Sequence, residues 1–312
     1  MGGYLEEEYV TYYVKAGEIA FRVKDYVRRY VKPGMKLVDI ANSVESLIRD
    51  LGGEPAFPLN ISINYVAAHR TALADDPEVI PEDSVVKVDI GVHVNGYIAD
   101  TAITLVFNDK YLEMAEVNKE ALYRALRSLK PGMRFSDLGG IIEGIVRRRR
   151  FKVIKNLTGH SLGRYLIHAG EVVPNYRDPL ALGRFRVGRA YAIEPFVTNG
   201  KGYVREVRTE IQIYALKSHD ISAKELSNDE ALLISYIKER FRTLPFCERW
   251  LVSVISDLGR LRRLLESLSS KGFLFKYPVL VEAGKGFVTQ FEETVLLTTE
   301  GVLVTTNPEI KP

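Results

Sequence analysis

The chain has 312 residues, of which 46% are hydrophobic and 27% charged, which is ordinary for a globular protein with one large core or two domains. A formal net charge of +3 is too small to argue for nucleic acid or a membrane surface as a partner. The single cysteine, Cys247, excludes an internal disulfide. No stretch resembles the apolar core of a signal peptide or the roughly 20 residues of a membrane span, so we expect a cytoplasmic protein.

An internal repeat organises the first half of the chain. The tetrapeptide KPGM at 32–35 recurs at 130–133, and each copy is followed by apolar residues at helical spacing, over 37–48 and 135–146. A further helix is expected before each copy, at 10–31 and 111–129, and strands are expected after it. Two helix-then-strand halves predict an α+β fold with pseudo-twofold symmetry, in which a shared site lies at the centre of a curved sheet.

A β-hairpin is predicted after the first helical pair, where two alternating runs flank Asn95 and Gly96. This dipeptide suits the positive φ angles of a two-residue type I′ turn. The resulting register puts Asp89 and Asp100 on one face as diagonal neighbours. Two carboxylates held that close repel each other unless protons or cations lie between them. The alternative is a solvated hairpin that carries surface acids.

The stretch from 217 to 277 departs from the repeat. Ser227 and Glu230 form a capping-box signature before a helix expected at 231–241, and apolar residues from 251 to 268 predict a second helix that stops at Gly272. The predicted division is a catalytic domain of residues 1–216 and 278–312 with an inserted helical subdomain of residues 217–277.

Two acids are adjacent in the last predicted strand, 286–298. A period of two puts Glu292 on one face with Gln290 and Thr294, and Glu293 on the face that packs. Glu292 is therefore the better candidate for a metal ligand, and Glu293 stays the alternative. The residues that suit two neighbouring divalent cations, oxygen-rich with one imidazole, are Asp89, Asp100, His160, Glu194 and Glu292.

In chain order, the motifs resemble those of methionine aminopeptidases, metallopeptidases with the so-called pita-bread fold. The motifs are two aspartates with ten residues between them, GHSLGRYLIHAG at 159–170, AIEPF at 192–196 and QFEET at 290–294. The long interval between the last two motifs is similar to that of the type II branch, and the whole resembles archaeal members. The resemblance covers the chain from about residue 10 onward.

The resemblance implies removal of the N-terminal methionine from nascent polypeptides and peptides, with a preference for small second residues. It implies two divalent ions, Co, Mn, Fe or Zn, bound by the five residues above, with Glu194 also moving the proton of the attacking water. His69 is expected to contact the scissile amide and His168 to stabilise the oxyanion, while Phe57 and Ile167 line the methionine pocket. Two positions depart from relatives that carry histidine there, Glu293 and Arg205.

Two other functions remain open at this stage. A proline-specific relative, prolidase or aminopeptidase P, shares the fold and the ligands but usually carries a separate N-terminal domain. A non-catalytic binding protein on the same fold would touch RNA or ribosomes through the four arginines at 147–150, although cations at a predicted helix end are ordinary. For the peptidase we expect a monomer, transient proximity to the ribosome, and neither a membrane nor a specific nucleic acid as partner.

Overall fold

The computed structural model describes residues 2–217 and 226–311, and for residues 2–7 only the backbone. The helices of this part are α1 (Gly2–Tyr30), α2 (Leu37–Asp50), α3 (Leu112–Ser128), α4 (Phe135–Arg148), α5 (Asn228–Arg240) and α6 (Leu258–Ser270). The first eight strands are β1 (Glu54–Pro55), β2 (Asn60–Ile63), β3 (Val66–Ala68), β4 (Val85–Val94), β5 (Tyr97–Val106), β6 (Lys152–Val153), β7 (Gly159–Leu162) and β8 (Val172–Val173). The remaining strands are β9 (Ala190–Ile193), β10 (Phe196–Thr198), β11 (Val204–Leu216), β12 (Phe246–Cys247), β13 (Leu274–Glu282), β14 (Val288–Gln290), β15 (Glu293–Thr298) and β16 (Gly301–Val304).

The internal repeat is confirmed as a repeated pair of helices. α2 and α4 each have 14 residues and begin at equivalent positions of the repeat, and each follows a longer helix, α1 or α3. The shared Pro-Gly dipeptide has a physical reason, since Gly34 and Gly132 have φ angles of 82° and 81°. That left-handed region favours glycine, which lets the chain turn sharply between the paired helices.

The hairpin is confirmed with its predicted register. Asn95 and Gly96 have φ angles of 53° and 85°, and Asp89 lies opposite Ala102 in the antiparallel ladder of β4 and β5. On the other face of β4, Val86, Val88, Ile90 and Val92 are fully buried in one core with α1 and α2, and Val94 packs against that core partly buried. A second core, formed by α3 and α4 with β9 and β15, serves the other half. The two halves therefore each bury one sheet face against their own helices.

The sheets of the two halves meet beside Glu292. One contains β1, β2, β4 and β5, and the other has the order β16-β15-β9-β7-β8. An isolated bridge joins them, in which Glu292 N donates to Ala102 O at 3.1 Å and Ala102 N donates to Glu292 O at 3.3 Å. The predicted centre between the halves is thus a real junction of two sheets.

The two strands predicted at 190–197 and 286–298 are each interrupted at this junction. β9 ends at Ile193 and β10 begins at Phe196, while β14 ends at Gln290 and β15 begins at Glu293. The two breaks face each other, because Ile193 pairs with Glu293 and Phe196 pairs with Gln290. Pro195, which has no N–H to donate, lies within one of the breaks. Each break leaves one acid, Glu194 or Glu292, outside the regular ladder.

The helical stretch has its own apolar core, formed largely by α5 and α6. The capping box is confirmed, since Ser227 Oγ accepts from Glu230 N and the Glu230 carboxylate accepts from Ser227 N. The second helix begins later than predicted, at Leu258, because the Asp257 side chain caps it by accepting from Arg260 N. The apolar residues from 251 to 255 precede it in a short irregular segment that packs into the same core.

A buried ion pair attaches this helical stretch to the first half. Arg249 donates to both oxygens of Glu45 on α2, at 2.7 and 2.8 Å, and Trp250 Nε1 donates to the same carboxylate at 2.7 Å. The division into a catalytic domain and an insertion stays a prediction, and residues 218–225 at its boundary lie outside the described residues.

Candidate metal centre and active site

Local structure explains why the five candidate ligands converge. Asp89 and Asp100 share one face of the hairpin, Glu194 and Glu292 lie in the two facing strand breaks, and His160 lies on β7 beside β9. All five line one cavity of about 430 Å³. The cavity also contains the other four predicted site residues, Phe57, His69, Ile167 and His168.

The side chains of this cluster approach each other closely. His160 Nε2 lies 3.4 Å from Glu194 Oε1 and 3.8 Å from Asp100 Oδ2. Asp100, His160 and Glu292 each offer one ligand atom within 4.8 Å of the others. Gln290, which the sequence did not single out as a functional residue, donates from Nε2 to Glu292 Oε2 at 3.2 Å and to Asp89 Oδ2 at 3.4 Å. The sequence signal for this role is that Gln290 lies two residues before Glu292, on the same face of the strand.

The electrostatics of the cluster fit divalent cations. Burial raises the pKa of Asp89 to about 8, with a further contribution from the Glu194 charge. Burial likewise raises the pKa values of Asp100, Glu194 and Glu292 well above the ordinary range. In the described part of the chain, Asp89 Oδ1, Asp100 Oδ1 and Glu292 Oε1 are buried without a hydrogen-bond partner, as is His160 Nδ1. Such a set of hard oxygens with one imidazole is costly alone and suits divalent metal ions.

Hydrogen bonds between the sheets hold the backbone of two ligands. Asp100 N donates to Thr294 Oγ1 and Thr294 Oγ1 donates to Asp100 O, both at 2.8 Å. Thr101 Oγ1 donates to Glu292 O at 2.7 Å. These contacts join the first half of the chain to its last strands, and no local pattern reveals them.

Glu293 points away from the cluster, onto α1. Its carboxylate accepts from Lys24 Nζ at 2.6 and 2.7 Å and from Thr306 Oγ1 at 2.6 Å, and both Glu293 and Lys24 are buried. Burial lowers the pKa of Lys24, while the Glu293 charge opposes that shift. The structure therefore places Glu293 in a buried ion pair and Glu292 in the carboxylate cluster.

We predict that Glu293→Ala destabilises the protein by about 3–5 kcal/mol, because the substitution leaves Lys24 buried without its countercharge. Metal content of the folded protein is expected to stay normal, since Glu293 does not face the cavity. Urea unfolding and metal analysis measure the two quantities. Glu300→Ala, an exposed position after the same strand, is the control and should change stability by no more than about 0.5 kcal/mol. Loss of a metal equivalent from folded Glu293→Ala would show that this acid is a ligand.

The histidines of the cavity are held as uncharged rings. His69 has a φ angle of 63°, and its Nδ1 lies 3.2 Å from Pro278 O. The ring centroids of His160 and His168 lie 4.5 Å apart in an edge-to-face arrangement. Burial lowers the pKa values of His69 and His160 to about 4, and desolvation with the nearby His160 lowers that of His168. At neutral pH all three rings are thus neutral and each carries one N–H donor.

Part of the cavity lining is apolar. Phe57 and Ile167, which are 7% and 8% exposed, both contribute to it. The Phe57 ring lies directly against Gly91, where an added Cβ would come within 2.3 Å of the ring. Sequence reasoning missed this role of Gly91, although a glycine in the middle of a strand is itself a signal for close approach.

Arg205, one of the two departures from relatives that carry histidine, does not line the cavity. It is exposed on β11 and pairs with Val281. Ile213, farther along the same strand, lines the cavity instead. The register shifts in the pairing of β11 with β13 separate the two positions, and sequence spacing alone does not predict such shifts.

Comparison with known proteins agrees with the ligand cluster. The family model described as metallopeptidase family M24 matches residues 12–217. The chain belongs to metallopeptidase family M24. This M24 chain is 41% identical over 302 residues to the methionine aminopeptidase of Saccharolobus solfataricus, covering 97% of this chain and 99% of that protein. It is accordingly an enzyme of the methionine aminopeptidase group, a metallo-exopeptidase.

Solved structures agree with the fold of this M24 chain. The methionine aminopeptidase of Thermotoga maritima is 23% identical with a TM-score of 0.66, and 94% of each chain is covered. A thermophilic Arx1 is 16% identical with a TM-score of 0.81, covering 98% of this chain and 92% of that one. The predicted pita-bread fold is confirmed. Among the helices of the described residues, none combines the length and the apolar character needed to cross a membrane.

Proposed function

We propose that this M24 chain removes the N-terminal methionine from nascent polypeptides and peptides, with the help of two divalent metal ions. The observation that carries the proposal is the convergence of Asp89, Asp100, His160, Glu194 and Glu292 in one cavity, with buried oxygens that lack partners. These five residues would hold the ions. The chemistry that bound ions would supply there is Lewis acidity toward the scissile carbonyl and a lowered pKa of water.

Glu194 is the residue that would move the proton. Its carboxylate lies beside His160 and faces the cavity, where burial raises its pKa well above the ordinary value. A carboxylate with a raised pKa accepts a proton from the attacking water and can return it to the leaving amine. Such proton transfer typically contributes about 10²–10⁴-fold to a rate.

The neutral histidines would bind the reacting amide. His69 and His168 line the cavity beside the carboxylates. The single N–H of neutral His69 lies on Nδ1 and is donated to Pro278 O, which leaves Nε2 as an acceptor, whereas neutral His168 has one N–H to donate. We assign His69 to the scissile amide and His168 to the carbonyl oxygen as negative charge develops on it. Because an imidazolium would be repelled by neighbouring cations, the lowered pKa values suit this role.

The shape of the cavity supports the substrate class. The apolar part of the lining formed by Phe57 and Ile167 suits an unbranched apolar side chain such as that of methionine. His69, His168 and Tyr277 also line the cavity, and we propose that their rings leave room for only a small second residue. A monomeric enzyme in the cytoplasm, acting briefly near the ribosome, stays an expectation from the sequence.

Metal removal tests the proposal. We expect thorough chelation to abolish hydrolysis of Met-Ala-Ser and reloading with Co, Mn, Fe or Zn to restore it, because the carboxylates alone offer no electrophile. Hydrolysis is measured by release of free methionine, with metal content determined in the same samples. A Xaa-Pro dipeptide serves as the comparison substrate and should be cleaved far more slowly. Full activity in verified metal-free protein, or a preference for Xaa-Pro, contradicts the proposal.

A further inference from the structure

A second, more open cavity of about 710 Å³ continues outward from the candidate active site. The two cavities share several residues, among them His69, His168 and Tyr277. Ile167 also lines both cavities, whereas the buried Phe57 lines only the first of the two. A polypeptide whose first residue lies against Phe57 can therefore extend past the histidines into this outer groove.

Aromatic rings form one wall of the groove. Phe275 contacts Tyr277 edge to face, with ring centroids 4.7 Å apart, and Tyr277 contacts His69 in the same way at 5.4 Å. Both aromatic residues lie on β13, one strand period apart, and face the groove. Leu274 precedes them on the same strand and points the opposite way, into the core of the helical stretch. The aromatic wall of the groove is therefore in contact with His69 through Tyr277.

The outer end of the groove exposes apolar side chains. Phe275 is 47% exposed and Leu166, which precedes Ile167 and also lines the groove, is 46% exposed. β13 is paired with β11 along one edge from Leu274 to Glu282, whereas its other edge is paired with β3 only at Leu280 and Val281 within the described residues. Backbone pairing along such an edge is independent of the substrate's sequence, so discrimination between substrates in the groove depends on side chains.

We propose that this groove binds the substrate polypeptide beyond its second residue, and that Phe275 and Leu166 bind an apolar side chain near the fourth residue. The inference rests on the proposed function, because it takes the substrate's first residue to lie against Phe57. The two ring-to-ring steps from His69 to Phe275 measure 5.4 and 4.7 Å. An extended chain advances about 3.3 Å per residue, so Phe275 lies no more than about three residues beyond the scissile amide.

Hexapeptides test the groove by cleavage. Met-Ala-Ser-Phe-Ser-Ser should be cleaved with a kcat/KM about tenfold above that of Met-Ala-Ser-Ser-Ser-Ser, which equals about 1.4 kcal/mol. Phe275→Ser should remove this difference and leave the rate on the tripeptide Met-Ala-Ser within about twofold of wild type. Leu303→Ser is the matched control, a similarly exposed apolar residue on β16 that does not line the groove, and should keep the difference.

A binding measurement distinguishes failure of the groove inference from failure of the proposed catalytic function. Calorimetric titration of the product-length peptides Ala-Ser-Phe-Ser-Ser and Ala-Ser-Ser-Ser-Ser measures binding without any chemistry, so it tests the groove even if no peptide is cleaved. Tighter binding of the phenylalanine peptide that Phe275→Ser abolishes supports the inference. Equal binding of the two peptides, with phenylalanine placed third, fourth or fifth in the hexapeptide numbering, overturns it. A loss of tripeptide activity in Phe275→Ser as large as the hexapeptide loss also overturns it, since Phe275 would then act only through Tyr277 and His69.

Discussion

Asp100→Asn is expected to abolish methionine release and to make the metal-free protein more stable than wild type. Asp100 is buried beside His160 and Glu292, where burial and the Asp89 and Glu194 charges raise its pKa well above the ordinary value. Replacing this carboxylate with a neutral amide removes a repelling charge from the cluster. It also removes a ligand, so bound metal should fall together with activity.

The difference in stability between metal-free wild type and Asp100→Asn should depend on pH, and proton linkage gives its direction. Because the folded metal-free protein holds these protons more tightly than the unfolded chain does, its stability falls as pH rises. This fall in stability extends from about pH 4, the ordinary carboxyl pKa, to about pH 8, the pKa of Asp89 in the folded protein. Asp100→Asn should show a shallower fall, so its advantage over wild type is larger at pH 8 than at pH 5.

Metal binding should make wild type more stable than Asp100→Asn. At free metal 1,000-fold above its dissociation constant, wild type should gain about 4.1 kcal/mol of stability, whereas Asp100→Asn should gain much less. Urea unfolding with and without Mn, together with metal analysis, measures these effects. Asp83→Asn, an exposed aspartate at the start of the same hairpin, is the control and should behave as wild type. An Asp100→Asn protein that keeps two metal equivalents and normal activity would refute the assignment.

His168→Ala is expected to lower kcat by about 10²–10³-fold, or about 2.7–4 kcal/mol, while two metal equivalents and near-normal substrate affinity remain. The reason is that a donor to the developing oxyanion matters more after attack than before it. The His168 ring lies 4.5 Å from the His160 ring and lines the cavity, but it is not part of the closest group of ligand atoms. Steady-state kinetics on Met-Ala-Ser, with metal analysis of the same samples, measures the effect.

His93→Ala is the matched control for this experiment. His93 lies on β4, accepts from Gly96 N at 3.2 Å and does not line the active-site cavity, so its loss should leave kcat unchanged. If His168→Ala instead loses metal, His168 is a ligand and the division of roles between His160 and His168 is wrong. An unchanged kcat would mean that His168 is only a neighbour of the site.

The fold was predictable where local patterns decide it. The hairpin follows from Asn95, Gly96 and the alternation around them, and its register follows from the turn itself. The repeated helices follow from apolar spacing and from a Pro-Gly turn that requires a positive φ at Gly34 and Gly132. The second helix of the helical stretch was placed too early, because apolar spacing continues through a segment that the Asp257 cap separates from the helix.

The candidate site was also predictable from the sequence only in part. A period of two was enough to separate the faces of Glu292 and Glu293, although the strand proved to be broken between Gln290 and Glu293. The roles of His69, His168, Phe57 and Ile167 came from resemblance to methionine aminopeptidases, and they stay proposals. Gly91, Gln290 and Tyr277 entered only through the contacts that the structure shows.

By itself, the amino-acid sequence determined the paired helices, the acid-bearing hairpin, the family resemblance and the identity of the residues that suit metal ions. Only the tertiary structure decided which sheets meet at Glu292, that Lys24 neutralises Glu293, and that Ile213 rather than Arg205 lines the cavity. The physical reason is distance along the chain. Turns, caps and periodic faces depend on residues a few positions apart, whereas Lys24 and Glu293 are 269 positions apart and meet only when both halves have packed.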